Sequence, residues 1–357
     1  MKILLLPIIT SFLMVLLSTP SFITIAKLKN LFDDPSDERK IHTEKTPSMG
    51  GMMIFAGTLF SFLLWLPIDE IGVIKYLIPS LLIMFFVGMK DDIIGTVPVK
   101  KLAAHIAVAF IMVFMANIKL TSLHGLFGVK EIPDWAGIML SIFTYIVIVN
   151  AFNLIDGVDG LAAGVGLIAA TAFGLWFYYA GDWTYAVLAF SLAGALLGFL
   201  RFNFNPAKIF MGDSGSLIIG FLFAVMAIEL VEYDAQQELP NIIKNISKPI
   251  LAMSILVYPL VDTIRVFTLR AIKGVSPFTA DRNHIHHRLM DLGLGHKSTV
   301  IIIYILSLVT ISATVFAQQF NPSYSFVVII GMVLLLVQTP FLIKLKRKKS
   351  AEKKLNA

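Results

Sequence analysis

Ile142-Phe143-Thr144-Tyr145-Ile146-Val147-Ile148-Val149-Asn150-Ala151-Phe152-Asn153-Leu154-Ile155-Asp156-Gly157-Val158-Asp159-Gly160-Leu161-Ala162-Ala163-Gly164 is an apolar run that ends in a burst of polar residues and then begins again. The run before the burst reaches back to about residue 135, and the run after it extends to about residue 180. Each is close to the ~20 apolar residues that a helix needs to cross the hydrocarbon core of a bilayer. Two membrane spans joined by a short acidic turn is the reading that sets the fold. Asn150 and Asn153 sit at the end of the first span, where polar groups are costly, so they are hard to dismiss as incidental.

The same reading repeats along the chain. Apolar runs at 3–26, 50–67, 73–89, 102–118, 135–152, 160–180, 183–200, 214–231, 247–267, 299–318 and 324–343 predict an all-α integral membrane protein, a polytopic bundle of about eleven transmembrane helices. Composition agrees. Apolar residues make up 57% of the 357 and charged residues 15%, with mean hydropathy +0.83. A soluble domain carries about 25% charged residues, and a disordered chain needs still fewer apolar ones. There is no cysteine, which excludes disulfides, thiolate metal sites and thiol nucleophiles. The first run lacks a small-residue cleavage site and reads as an uncleaved span.

Charge orients the bundle. With the N-terminus outside and the spans alternating, the inward loops and tail hold 23 of the 29 Lys and Arg. The positive-inside rule therefore predicts an N-out, C-in topology. The basic tail 344–357 reads as an anchor to anionic lipid. No internal repeat or linker divides residues 1–357, which read as one transmembrane domain. The outer loops near 119–134 and 232–248 show nothing notable in composition.

Four polar clusters then fall on the inner face. They are Asp91-Asp92, the Asn150/Asn153/Asp156/Asp159 stretch, Asp213 in Phe210-Met211-Gly212-Asp213-Ser214-Gly215, and His284-Ile285-His286-His287 between Arg282 and Arg288. Each alone has a plain explanation as a solvated loop, a turn or a helix cap. Together they are hard oxygen donors suited to Mg²⁺, glycines that let backbone approach a phosphate, a helix start facing an anion, and cationic donors. Phosphoryl transfer needs these parts, because positioning and charge neutralisation carry most of its catalysis.

At these residues the chain resembles the polyprenyl-phosphate N-acetylhexosamine-1-phosphate transferases, glycosyltransferase family 4, a superfamily that includes the phospho-N-acetylmuramoyl-pentapeptide transferases. The likeness runs from Arg39-Lys40-Ile41-His42 and Pro47-Ser48-Met49-Gly50-Gly51 to the histidines. It implies eleven spans and attack of a polyprenyl (undecaprenyl) phosphate on a UDP-N-acetylhexosamine, yielding a polyprenyl-diphospho-sugar and UMP. The partners are then a membrane lipid and a UDP-sugar, with no role for nucleic acid, and a homodimer is one option for assembly. The setting implied is a multi-pass protein of the bacterial inner membrane, initiating cell-envelope polysaccharide with its active site facing the cytoplasm.

The resemblance also implies roles. Mg²⁺ is the cofactor, with Mn²⁺ as substitute. Asp213 leads as its ligand and Asn150 assists. Asp91 and Asp92 serve the lipid phosphate or the metal. Asp156 and Asp159, with Asn150 and Asn153, line the nucleotide and diphosphate side. Phe210 stacks on uracil. His284, His286, His287 and Arg282 meet the diphosphate or sugar. Gly95 stands where the muramoyl branch has Lys, and Ile285 interrupts the histidines. Both features resemble the N-acetylglucosamine branch, whereas Pro47–Gly51 leans to the muramoyl one. Lys100 and Lys101 then remain as phosphate partners. Competing readings are an ion-coupled transporter, which calls for ionisable residues deep within spans, a transferase of CDP-activated groups, whose Asp-Gly-x-x-Ala-Arg pattern Asp156-Gly157-Val158-Asp159-Gly160-Leu161 does not fit, and a scaffold.

Overall fold

The computed structural model describes residues 2–29, 46–66, 71–234, 239–275 and 283–355. Among them the chain is mostly helical. The helices in order are α1 (Lys2–Leu28), α2 (Gly51–Trp65), α3 (Ile71–Ile94), α4 (Pro98–Phe110, continued by a π turn Ile111–Met115), α5 (Asp134–Ile155), α6 (Leu161–Ala180), α7 (Trp183–Asn203), α8 (Asp213–Glu232), α9 (Lys248–Ile255), α10 (Val257–Ile272), α11 (Ile285–Asp291), α12 (His296–Phe316) and α13 (Pro322–Leu355). Seven helices among the described residues are long and apolar enough to cross a membrane, or eight if the bent pair α9–α10 counts as one.

Helix α8 is the axis of the bundle. In its apolar window 94% of residues are buried, against 17% for α1. The helices α3, α5, α2, α6 and α9 pack around it. Lipid tails are as apolar as leucine, so close packing and interhelical hydrogen bonds hold such a bundle together, rather than burial from water. The α1–α7 contact shows this. A Cβ on Gly194 would stand 2.2 Å from the Ile8 carbonyl, and one on Gly198 2.9 Å from that of Phe12. These two glycines, four apart on α7, let the backbones touch. Ser61 on α2 donates to Pro7 O (2.8 Å) and accepts from Ser191 of α7 (3.1 Å), tying the three helices with polar groups that lipid cannot satisfy.

Two features depart from a row of straight spans. The pair α9–α10 bends by 77° at Leu256, just before Pro259, which has no N–H to give to Ile255. The bend turns α10 towards α11. Between α4 and α5 lies a hairpin, β1 (Ser122–Leu126) and β2 (Val129–Glu131), closed by Phe127 (φ 54°) and Gly128 (φ 79°). Positive φ at both turn residues is the twist that two-residue hairpins prefer. The sequence carried no period-2 pattern here that would separate a hairpin from a loop.

Candidate active site

The start of α8 is assembled from three separated stretches. Phe210 N–H donates to Pro47 O (2.7 Å), Gly50 N–H to Phe210 O (2.9 Å) and Gly51 N–H to Met211 O (2.8 Å). A Cβ on Gly51 would lie 2.0 Å from Gly215 N, so only glycine permits this clasp. Pro47–Gly51 is thus a backbone brace for the Asp213 turn. Gly212, with φ 73°, has no side chain to cap α8. Asp92 supplies the cap from α3. Its two carboxylate oxygens accept from Asp213 N (2.7 Å) and Ser214 N (3.0 Å).

The four acids gather around that cap. Lys101 of α4 pairs with Asp213 and, at 2.8 Å, with Asp91. Asn153 of α5 donates to the other oxygen of Asp213 (2.9 Å) and to Ser216 (3.1 Å). Asp156, in the turn after α5, feels the charges of both Asp213 and Asp92. Burial raises its carboxyl pKa well above the usual range, and those charges add to the rise. Asp92 stands past the apolar stretch of α3. Burial lifts it to about 7 even though the backbone N–H groups of Ser214 and Asp213 pull it down. Lys101 is thus shared by two of the four acids, and the Lys101 and Asp213 side chains remain about one-fifth exposed. A half-open pocket so crowded with carboxyl oxygens that Asp92 and Asp156 hold their protons more tightly suits a divalent cation.

The histidine segment lies against this cluster. His284 Nδ1 is 2.6 Å from Asp262 Oδ2, and Ile285 N–H donates to Asp262 Oδ1 (2.7 Å). His286 Nδ1 is 3.1 Å from the Tyr258 hydroxyl, and its Nε2 is 3.9 Å from where a Cβ on Gly157 would stand. His287 packs on His286, ring centroids 4.4 Å apart. Burial, the largest influence, drives His286 down to about 3, so its ring is neutral. Asp262, His284 and His286 offer atoms within 4.8 Å of one another, a group able to hold a metal.

Several expected residues take other places. Asp159 is buried and accepts from Asn205 Nδ2 (2.9 Å) and Ala207 N (3.0 Å), where it braces the chain after α7. Asn150 lies one turn deeper than Asn153. Its amide nitrogen donates to Ile146 O (2.7 Å) and lies 3.5 Å from His105 Nδ1, so Asn153, not Asn150, is the asparagine on Asp213. Lys100 is exposed, since one residue along a helix turns a side chain by about 100°, and Lys101 takes the inward position. Phe210 is half-buried, held by its backbone in the clasp. Arg282 and Arg39–His42 lie outside the described residues. Asp262 and Tyr258 were missed. Asp262 is a lone acid within the 247–267 apolar run, and the cost of such a residue in a membrane was the available signal.

The profile of glycosyl transferase family 4 matches residues 74–231. The chain is 33% identical over 321 residues to a decaprenyl-phosphate N-acetylglucosaminephosphotransferase of Mycobacterium tuberculosis, covering 83% of this chain and 78% of that one. The chain belongs to glycosyl transferase family 4. The matching protein of Mycolicibacterium smegmatis is 34% identical over 293 residues, covering 75% and 71%. An undecaprenyl-phosphate alpha-N-acetylglucosaminyl 1-phosphate transferase of Escherichia coli K12 is 29% identical over 319 residues, covering 85% and 82%. The resemblance carried by the motifs is thus borne out. This family 4 transferase has apolar helices of span length and bacterial relatives, which mark it as a multi-pass bacterial membrane protein. The family match takes in Asp91, Asp92, Lys101, Asn153, Asp156 and Asp213 and ends before α10.

Proposed function

We propose that this transferase moves N-acetylglucosamine-1-phosphate from UDP-N-acetylglucosamine to a polyprenyl phosphate. A lipid phosphate oxygen bonds to the β-phosphorus, the bond from that phosphorus to the bridging oxygen breaks, and UMP leaves with the electron pair. The observation that carries this reading is the meeting of Asp91, Asp92, Asp156 and Asp213 at the half-open start of α8, where Lys101 pairs with Asp91 and Asp213. The relatives are named for this lipid class and this sugar.

Asp213, with Asp156 and Asp91, is the set suited to Mg²⁺, or Mn²⁺ in its place, and the cation would neutralise diphosphate charge. The attacking phosphate monoester has a second pKa near 6 and is largely dianionic at neutral pH. It needs no strong base, so Asp91 acts by orienting Lys101 and the incoming phosphate. Asp92 holds the two N–H groups at the head of α8 in register. The imidazoles meet the diphosphate or sugar, and Phe210 stacks on uracil.

The topology follows the same reading. Adding α2, α3 and α13 to the seven long helices and the bent pair makes eleven spans. With the N-terminus outside, the acid cluster faces the cytoplasm of a bacterial inner membrane, where UDP-sugars are made. Residues 1–357 act as one catalytic domain.

The test is UMP release by detergent-purified protein given a polyprenyl phosphate, Mg²⁺ and, in separate reactions, UDP-N-acetylglucosamine, UDP-N-acetylgalactosamine and UDP-muramoyl-pentapeptide. Release with the first donor, requiring lipid and abolished by a chelator, is expected. Release only with the pentapeptide would move the chain to the muramoyl branch. Silence with all three would sink the reading.

A further inference from the structure

The bent helix α10 holds the histidine segment through one stripe of side chains. Tyr258, Asp262 and Arg265 are spaced four and three residues apart, so they share a face. They reach four consecutive residues. Arg265 donates to Asn283 O. Asp262 takes His284 Nδ1 with one oxygen and Ile285 N–H with the other. Tyr258 meets His286 Nδ1. Asp262 is fully buried. The rings of His284 and His286 lie 5.2 Å apart with their planes 12° from parallel. Both imidazoles therefore have Nδ1 engaged by α10, which leaves Nε2 as the atom of each that can meet substrate.

The same three groups form the candidate metal cluster, but as arranged His284 Nδ1 and Asp262 Oδ2 are paired with each other rather than spaced as two ligands of one ion. Two ligand atoms at about 2.0–2.2 Å from one tetrahedral ion stand about 3.3 Å apart. Asp262 Oδ2 and His284 Nδ1 are 2.6 Å apart, a charge-assisted hydrogen bond with a proton between them. A carboxylate only accepts, so that proton belongs to Nδ1.

We propose that Asp262 is the positioning residue of the histidine segment. It holds the His284 proton on Nδ1 and caps the turn at Ile285, while Tyr258 leaves His286 Nε2 towards Gly157. Its effect on turnover rests on the transfer reaction proposed above, while its effect on the imidazole can be read without turnover. Orienting the second nitrogen of a histidine in this way fixes the tautomer the first one offers.

Asp262→Asn is the discriminating variant. The amide is isosteric. Its oxygen still accepts from Ile285 N–H, while its NH₂ now donates to His284 Nδ1, which as an acceptor carries no proton, so that the ring's proton sits on Nε2. Packing survives and the tautomer inverts. The expected result is a fall of about 100-fold in kcat for UMP release, with KM for UDP-N-acetylglucosamine within about 3-fold and an unchanged melting temperature. Tyr258→Phe, which frees His286 alone, should cost about 10-fold in kcat. Histidine ¹⁵N spectra, assigned with His284→Gln, should show the His284 proton on Nδ1 in the wild type and on Nε2 in Asp262→Asn. Wild-type turnover in Asp262→Asn would reduce Asp262 to packing and overturn the proposal. So would one zinc ion per purified wild-type chain that Asp262→Asn loses. If Asp262→Asn does not fold, the wild-type spectrum decides, and a His284 protonated on Nε2 alone overturns the proposal. An inactive wild type would count against the reaction and leave the spectral test standing.

Discussion

Helix α8 carries a carboxylate at each end, and the two are used differently. At its last residue, Glu232 accepts from Thr121 N (2.8 Å), Ser122 N (3.3 Å) and the Thr121 hydroxyl. Its donors are neutral backbone and hydroxyl groups, and they tie the hairpin to the helix. At its first residue, Asp213 meets Lys101 and Asn153 while three more acids crowd the same pocket. One carboxylate is satisfied. The other sits in a pocket so crowded with carboxyl groups that Asp92 and Asp156 are pushed towards their neutral forms, an arrangement that costs stability and stands ready for a cation. The type of residue does not distinguish structure from chemistry here, whereas the crowding of carboxyl groups around it does.

That contrast is most easily broken at Asp213. Asp213→Asn should lower kcat for UMP release by about 1,000-fold, the scale of removing a preorganised electrostatic group, without changing the yield of folded protein. A variant that kept near-wild-type turnover would place the chemistry elsewhere. Next is the cation. Lys101→Met should cost about 100-fold in kcat, while Lys100→Met should stay within about 2-fold, as an exposed substitution does. Equal losses would erase the distinction drawn from helix geometry. Asp159→Ala should act on stability. It strips the acceptor from Asn205 and Ala207, so thermal unfolding in detergent should shift by roughly 1–3 kcal/mol, with kcat of the folded fraction within about 5-fold. A large kcat loss at unchanged stability would return Asp159 to the reacting groups. Smallest is Glu232→Gln, which should cost about 1 kcal/mol or less and leave UMP release unchanged.

Much of this was legible in the sequence. Apolar runs of membrane length mark the helices, and the few acids stand out because an apolar chain has little reason to carry them. The order Asp91-Asp92, Asn153, Asp156, Asp213 already named most of the cluster. What hydropathy could not say is which span is central, because most spans are apolar on all sides and lipid and protein look alike to it. The centrality of α8 emerges only from packing. Rotation about a helix was equally hidden. Lys100 and Lys101 are adjacent in sequence, and only the path of α4 decides which one turns to Asp213. That Asp92 and Asp159 accept from backbone N–H groups was hidden, because a carboxylate that braces N–H groups cannot be told by type from one that binds a metal. Asp262 was legible and passed over, since its partners are 22 and 23 residues away and no local motif announces them. The hairpin at Phe127-Gly128 was hidden because phenylalanine rarely adopts positive φ.

The most direct measurement is a single-turnover reaction with UDP-N-acetylglucosamine labelled at the β-phosphorus with ³²P, a polyprenyl phosphate and Mg²⁺. Wild type, Asp213→Asn and Glu232→Gln are run in parallel. The account predicts the label in the lipid phase with one equivalent of unlabelled UMP released for wild type and Glu232→Gln, and neither labelled lipid nor UMP for Asp213→Asn. Label transferred equally by Asp213→Asn, or lost alike in both variants, would contradict the claim that the charge-rich end of α8 is where the phosphoryl group moves.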